Sequence, residues 1–249
     1  MNHEFRKRLK AGERLVGTMV TLGSAETAEV LADAGFDWLF LDAEHSPMET
    51  TDLQRVMQGA GSVPCVVRLS ASAEVPIKKA LDIGAAGIIA PMVNSADQAE
   101  RVVRFAKYSP SGTRGVGLGR AHGYGLKFKE YIERANEDVA VIVQAEHIDA
   151  VRNIEAIIRV AGIDGVLVGP YDLSASLGRL GEVAHPEVTA AIDRVTEVCR
   201  SSRMPLGIFG LSAEAVMPYV KRGYTLIVVG ADTVMLDNAA KQLLSQVRA

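Results

Sequence analysis

The chain predicts a closed, parallel (β/α)8 TIM barrel, and three observations carry that prediction. Short runs rich in β-branched residues alternate with amphipathic helical patterns from one end to the other. A glycine repeatedly separates a helical pattern from the apolar run that follows it. The length, 249 residues, is that of one such barrel, which takes about 250 residues. The expected organisation is a single domain over 1–249. An open doubly wound sheet competes with it, and the lack of a glycine-rich turn after the first run weighs against that sheet.

The elements follow in order. LVGTMVTL (15–22) is the first strand run, and a helical pattern covers 25–34. ADAGFDWLFLDAE (32–44) ends that helix at Gly35 and enters the second strand. Gly84, Gly162 and Gly223 stand in the same relation to LDIGAAGIIAPMV (81–93), RVAGIDGVLVGP (159–170) and VKRGYTLIVVGAD (220–232). Each glycine fits the position just past a helix, where left-handed backbone is needed and glycine adopts it without a Cβ clash. VPCVVRLS (63–70), VAVIVQAE (139–146) and PLGIFG (205–210) complete eight strand candidates. The remaining helical patterns fall at 50–60, 75–83, 96–107, 149–160, 187–202, 213–222 and 237–247. The connection over 108–136 is irregular and glycine-rich, with a short helix expected at its end, 127–136. Loops this long are usually functional or disordered. Its GVGLG stretch follows no strand and opens no helix, so it is not a dinucleotide fingerprint.

Composition narrows the function classes. The net charge of −3 offers no basic surface for nucleic acid. No apolar run approaches the ~20 residues that span a membrane. The opening MNHEFRKRLKAGERL lacks the apolar stretch of a secretory signal. The two cysteines, Cys65 and Cys199, read as buried thiols in a reducing cytoplasm.

Chemistry is concentrated where apolar runs end. In a parallel barrel those ends build the active face. Glu146 closes one run and Asp172 follows the next, 26 residues later, about one strand–helix unit. Neighbouring strands would therefore aim two hard oxygen ligands at one point, which suits Mg²⁺, Mn²⁺ or Co²⁺ with open positions for substrate. Every lysine falls in a helix, a terminal segment or the long loop. A Schiff-base nucleophile is absent from the strand ends, which leaves a metal as the electron sink for any carbanion.

Asp42, Glu44 and His45 follow the second strand, and Arg68 ends the third. A histidine there suits proton transfer near neutral pH. A guanidinium fork suits a carboxylate or an enolate oxygen, and a salt bridge from Asp42 on the adjacent strand would hold it in place. Gln144 shares a face with Glu146, because residues two apart in a strand do. Asp82, near the end of a helix, opposes the helix dipole and so is expected to have a partner, His45 being one candidate. The stretch Gly169-Pro170 permits a sharp turn whose amides could receive a carboxylate. GIFG and VVGADT lie where many barrels bind phosphate, a weak signal here.

LDAEH (41–45), VVR (66–68), LDIGAAGIIAPMV (81–93), RGVG (114–117), QAE (144–146) and VGPYDLSASLG (168–178) together resemble the metal-dependent pyruvate aldolases. That family includes 4-hydroxy-2-oxoheptane-1,7-dioate aldolase and 2-dehydro-3-deoxyglucarate aldolase. The resemblance runs nearly end to end, from GTMV to VVGADTVML (228–236). It implies a divalent metal held by Glu146 and Asp172, and pyruvate chelating that metal through its carboxylate and keto oxygens. It implies that Arg68 steadies the enolate, that His45 with Asp82 handles protons, and that Gln144 and the backbone around Gly169, Pro170 and Leu173 position the donor. It further implies a hexamer, a trimer of dimers, whose last helix, about 237–249, is exchanged between subunits. The chain departs from the pattern at His147 and in the loop carrying Arg120, His122 and Tyr124. These positions, His147, Arg120, His122 and Tyr124, are expected to face the acceptor aldehyde. The expected reaction is reversible cleavage of a 4-hydroxy-2-oxo acid to pyruvate, or a related 2-oxo acid, and an aldehyde. Two alternatives are another carbon–carbon bond formation from the same enolate, by citrate-type condensation or pyrone annulation, and a non-catalytic barrel that binds a 2-oxo acid.

Overall fold

The computed structural model describes residues 4–248. Eight parallel strands close into a barrel in sequence order. They are β1 (Leu15–Val20), β2 (Trp38–Asp42), β3 (Cys65–Arg68), β4 (Gly87–Ala90), β5 (Ala140–Ala145), β6 (Gly165–Val168), β7 (Leu206–Gly210) and β8 (Leu226–Ala231). β8 pairs back onto β1, so no edge strand remains exposed.

Two apolar layers follow from the period-two alternation of side chains. Trp38 and Phe40 of β2, Val66 of β3, Ile142 of β5 and Leu167 of β6 fill the barrel interior. Their sequence neighbours Leu39, Leu41, Val67, Val143 and Val168 face the helices. Continuing that alternation by one step sets Asp42, Arg68 and Gln144 on the interior side at the C-terminal mouth. The alternation thus delivers polar side chains there and nowhere deeper.

The helices cover the strands. α1 (Phe5–Lys10) was not legible in the sequence: six residues are too few for a period to show. It closes the N-terminal end of the barrel, with Phe5 and Leu9 in the interior layer and the Phe5 ring 5.6 Å from that of Trp38. Arg6 fastens it by an ion pair to Asp164 at 2.8 Å. Next come α2 (Ala25–Asp33), α3 (Thr50–Gly59), α4 (Glu74–Asp82), α5 (Ala96–Ala106) and α6 (Phe128–Asp138), all close to the expected spans. The helix expected at 149–160 is two, α7 (Ile148–Arg152) and α8 (Ile154–Ile158), hinged at Asn153. α9 (Pro170–Ser176), started by Pro170, was missed because it is seven residues long. α10 (Pro186–Ser201) and α11 (Ala213–Lys221) agree with expectation. α12 (Asp232–Arg248) starts earlier than 237. Gly35, Gly84, Gly162 and Gly223 all have positive φ, as their positions past helix ends require.

The long connection is ordered by two buried side chains. Arg114 stacks 4.5 Å from the Tyr108 ring centroid and donates to Asp82 at 2.7 Å and to the Tyr131 hydroxyl at 3.1 Å. His122 packs edge-on against Phe128 and bonds the Gly117 carbonyl at 2.7 Å. Cys65 and Cys199 are buried free thiols, each pushed up to about 12 by burial. Among the described residues no helix is long and apolar enough to cross a membrane.

Candidate active site

The β2–β3 register sets Asp42 opposite Arg68. Arg68 donates Nε to Asp42 Oδ1 at 2.9 Å and Nη2 to Oδ2 at 2.8 Å, the two-pronged geometry that suits a guanidinium. Burial by itself raises the Asp42 carboxyl; the Arg68 guanidinium overrides it and holds that carboxyl below its usual range. The guanidinium also lies 5.3 Å from the Phe40 ring centroid. Among the described residues Nη1 makes no hydrogen bond, which leaves it for a ligand in the cavity.

Glu146, one residue past β5, is buried. Its Oε1 accepts the Met92 amide at 2.7 Å, and its Oε2 accepts a short bond from Gln144 Nε2. Burial pushes its carboxyl up to about 6; the Met92 amide opposes this, and the charges of Glu44 and Asp172 reinforce it. Met92 presents that amide from a positive φ of 53°, a conformation uncommon outside glycine. Gly169 leaves room for Glu146: a Cβ there would sit 2.9 Å from the Glu146 Cβ. Asp172, in the first turn of α9, is exposed and lines the same mouth.

Glu44 completes the acidic face. Its Oε2 is buried without a hydrogen-bond partner and lies 3.4 Å from Arg68 Nε and 3.8 Å from His45 Nε2. Burial raises its carboxyl, the charges of Arg68 and His45 oppose this, and Asp42 and Asp172 add to it. The charges of neighbouring carboxylates thus raise both Glu146 and Glu44, which marks a place short of positive charge. Glu146 and Asp172 are hard oxygen donors, and a divalent cation held by them would supply that charge, so the donor set fits a hard metal ion. No group of three or more ligands stands ready among the described residues, which leaves two protein carboxylates and open positions.

His45, Asp42, Arg68, Gln144, Gly169, Pro170 and Asp172 line one cavity of about 340 Å³ at the barrel mouth. Within the protomer four expected placements, those of Asp82, Arg120, Tyr124 and His147, need correction. Leu173 is fully buried in the layer between strands and helices and anchors α9 by its side chain, which leaves only its backbone for the expected role. Asp82 ends α4, and a helix in a βα unit ends at the opposite face of the barrel. Within the protomer its partner is Arg114, not His45; the carboxylate beside His45 is Glu44. Arg120 donates to the Ile83 carbonyl at 2.9 Å and lines a small cavity with Pro64, Cys65 and Val139 at the strands' N-terminal ends. Tyr124, in the same turn, is exposed there with a φ of 56°. His147 caps α7, its Nδ1 accepting the Asp149 amide at 3.1 Å. Glu44 and the Met92 amide received no role from the sequence. Glu44 carried a signal, as a charge closing an apolar run; Met92 acts through its backbone, which no residue type announces.

Known proteins share this architecture and much of the sequence. Residues 16–239 match the model of the family described as HpcH/HpaI aldolase/citrate lyase. The chain is 39% identical to a 4-hydroxy-2-oxo-heptane-1,7-dioate aldolase of Escherichia coli, covering 99% of this chain and 95% of that one. It is 40% identical to a 2-dehydro-3,6-dideoxy-6-sulfogluconate aldolase of Pseudomonas putida, covering 95% and 93%. The crystal structure of a family protein from Burkholderia cenocepacia J2315 superposes with a TM-score of 0.95 at 38% identity over 100% of both chains. A citrate synthase and macrophomate synthase, each 26% identical, share the fold with TM-scores of 0.87 and 0.85, over 98% of this chain and 97% and 89% of theirs. The chain belongs to the HpcH/HpaI aldolase/citrate lyase family.

Proposed function

We propose that the chain catalyses reversible aldol cleavage of a 4-hydroxy-2-oxo acid to pyruvate, or a related 2-oxo acid, and an aldehyde. The observation that carries this reading is the meeting of Arg68, locked on Asp42, with the buried Glu146 and Asp172 at one mouth. Glu146 and Asp172 would hold Mg²⁺, Mn²⁺ or Co²⁺. When bound, that cation supplies positive charge opposite the oxygens of the 2-oxo acid.

The side chains do the rest. Arg68 Nη1 steadies the donor and the negative charge that develops on it, a preorganised contribution because Asp42 already fixes the guanidinium. Gln144 holds Glu146 in place and leaves its own Oε1, buried and unpartnered, toward the site. His45 is the cavity group suited to move the proton. The C4 hydroxyl loses a proton, the C3–C4 bond breaks with its electron pair passing to C3, and the aldehyde departs. The enolate then takes a proton at C3.

The test is loss of the pyruvate methyl proton signal in D₂O, followed by NMR with Mg²⁺ or Mn²⁺ and with EDTA as control. Metal-dependent exchange is expected, and no exchange with any metal would remove the reading. Citrate-type condensation and pyrone annulation are supported only by the fold shared with a citrate synthase and macrophomate synthase.

Assembly follows from α12. Leu236, Leu243 and Val247 are 65%, 65% and 85% exposed on it, which supports exchange of this helix between subunits and a hexamer built as a trimer of dimers. Light scattering that returns a monomer would exclude it. The two buried thiols support a cytoplasmic site of action.

A further inference from the structure

We infer that Asp232 is a positioning residue for the reaction: its buried carboxylate fixes the end of β1 beside the end of β2, and with it the Asp42–Arg68 pair. The inference rests on the aldolase reading above and adds a residue to it.

Asp232 follows β8 and opens α12, where it is buried. A buried carboxylate without partners is costly. No basic side chain bonds this one among the described residues; four hydrogen bonds hold it instead. Oδ2 accepts the amides of Thr21 at 2.9 Å and Leu22 at 2.8 Å. Oδ1 accepts the Thr21 hydroxyl at 2.7 Å and the Thr233 amide at 2.8 Å. Capping α12 accounts for the Thr233 amide alone. The other three bonds reach residues just past the end of β1.

The sheet explains why a tie is needed there. Gly17 of β1 faces Val228 of β8, but Met19 faces Ala231, so β8 carries one extra residue over that stretch. Gly230 takes up the slip with a φ of 73°, and Thr18 Oγ1 donates to its carbonyl at 3.2 Å. A bulge of this kind disrupts the ladder locally. Beyond Val20 and Ala231, where the two strands stop, the Asp232 carboxylate does what the ladder no longer does.

What it fixes is one side of the mouth. β1 runs beside β2 with Met19 facing Phe40 and Val20 facing Leu41. One step further sets Thr21 beside Asp42. Met19, Thr21, Phe40, Asp42 and Arg68 line the same cavity. Asp42 in turn holds Arg68 by two bonds. Asp232, Thr21, Asp42 and Arg68 therefore stand in succession across the ends of β8, β1, β2 and β3, which are neighbours in the barrel. A β1 end free to move would let Asp42, and the guanidinium it aims, move with it.

The test is metal-dependent pyruvate proton exchange by the full-length protein, with the Mn²⁺-induced rise in melting temperature as a check on fold and metal site. Asp232→Ala removes all four bonds and should slow exchange at least about tenfold. Thr21→Val removes the hydroxyl bond alone and should slow it about threefold with the Mn²⁺ rise intact. Thr21→Ser keeps the hydroxyl and should match the wild type. In an Arg68→Ala background the first two substitutions should change the residual rate by less than about twofold, because a residue that acts through Arg68 has nothing left to aim. A merely structural role would cost the same factor in both backgrounds. Equal factors in the two backgrounds, or unchanged exchange in Thr21→Val, would overturn the inference. If Asp232→Ala does not fold, the Thr21 variants decide alone. Either of those results beside normal wild-type exchange sinks this inference only; absence of wild-type exchange with any metal sinks the aldolase reading and this inference with it.

Discussion

Asp42 and Arg68 face each other across β2 and β3 through two hydrogen bonds of 2.9 and 2.8 Å, both side chains nearly withdrawn from solvent. The pair is therefore a structural unit as well as a functional one. Removing one partner strands a buried charge, which costs about 3–5 kcal/mol. Arg68→Ala is expected to lower the thermal midpoint and to reduce pyruvate exchange by about 10²-fold or more. Adding Asp42→Asn should recover much of the stability and none of the activity. Recovery of both would show that Arg68 acts only through folding.

Glu146 makes the metal-free protein pH-sensitive. Its carboxyl is raised from the ordinary value to about 6 in the fold. The folded state therefore binds the proton more tightly than the unfolded chain, and stability falls as pH rises from about 4.5 to about 6, then levels. The loss is about 2 kcal/mol. Glu146→Gln should thus raise the midpoint in EDTA at pH 8 and leave it unchanged near pH 4. A fall at pH 8 would contradict the raised carboxyl.

Mn²⁺ should raise the melting temperature of the wild-type protein in proportion to its binding. Glu146→Gln and Asp172→Asn should abolish that increment while remaining folded by circular dichroism. An undiminished increment in either variant would remove that residue from the metal site.

Gly169 is fixed by proximity. Its missing Cβ would lie 2.9 Å from the Glu146 Cβ and 3.3 Å from Gln144 Nε2. Gly169→Ala should displace the Glu146 carboxylate and cut exchange at least about tenfold, because an ångström of misplacement costs that much. Unchanged exchange would mean the carboxylate tolerates the shift.

Arg114 tests the far end of the barrel. It is fully buried and is held by Asp82 and Tyr131. Asp82→Asn leaves that guanidinium without its counter-charge, and a loss of several kcal/mol is expected, read as a lower urea midpoint. An unchanged midpoint would show that the aromatic stacking alone suffices.

The order of elements was legible because its causes are local. β-branched runs, amphipathic periods and glycines past helix ends act over a few residues, and they located all eight strands and the turns before four of them. They also drew attention to Asp42, Arg68, Gln144, Glu146 and Asp172, since a polar side chain at or just past the end of an apolar run needs no distant information to be noticed. Elements too short to show a period, α1 and α9, were not legible. The tertiary structure alone decided partners. It paired Glu44 rather than Asp82 with His45, gave Asp82 to Arg114, turned Arg120 to the opposite end, and brought the Met92 amide to Glu146 across 54 residues. Which groups meet depends on barrel closure, register and the direction each helix runs, and those are properties of the whole chain.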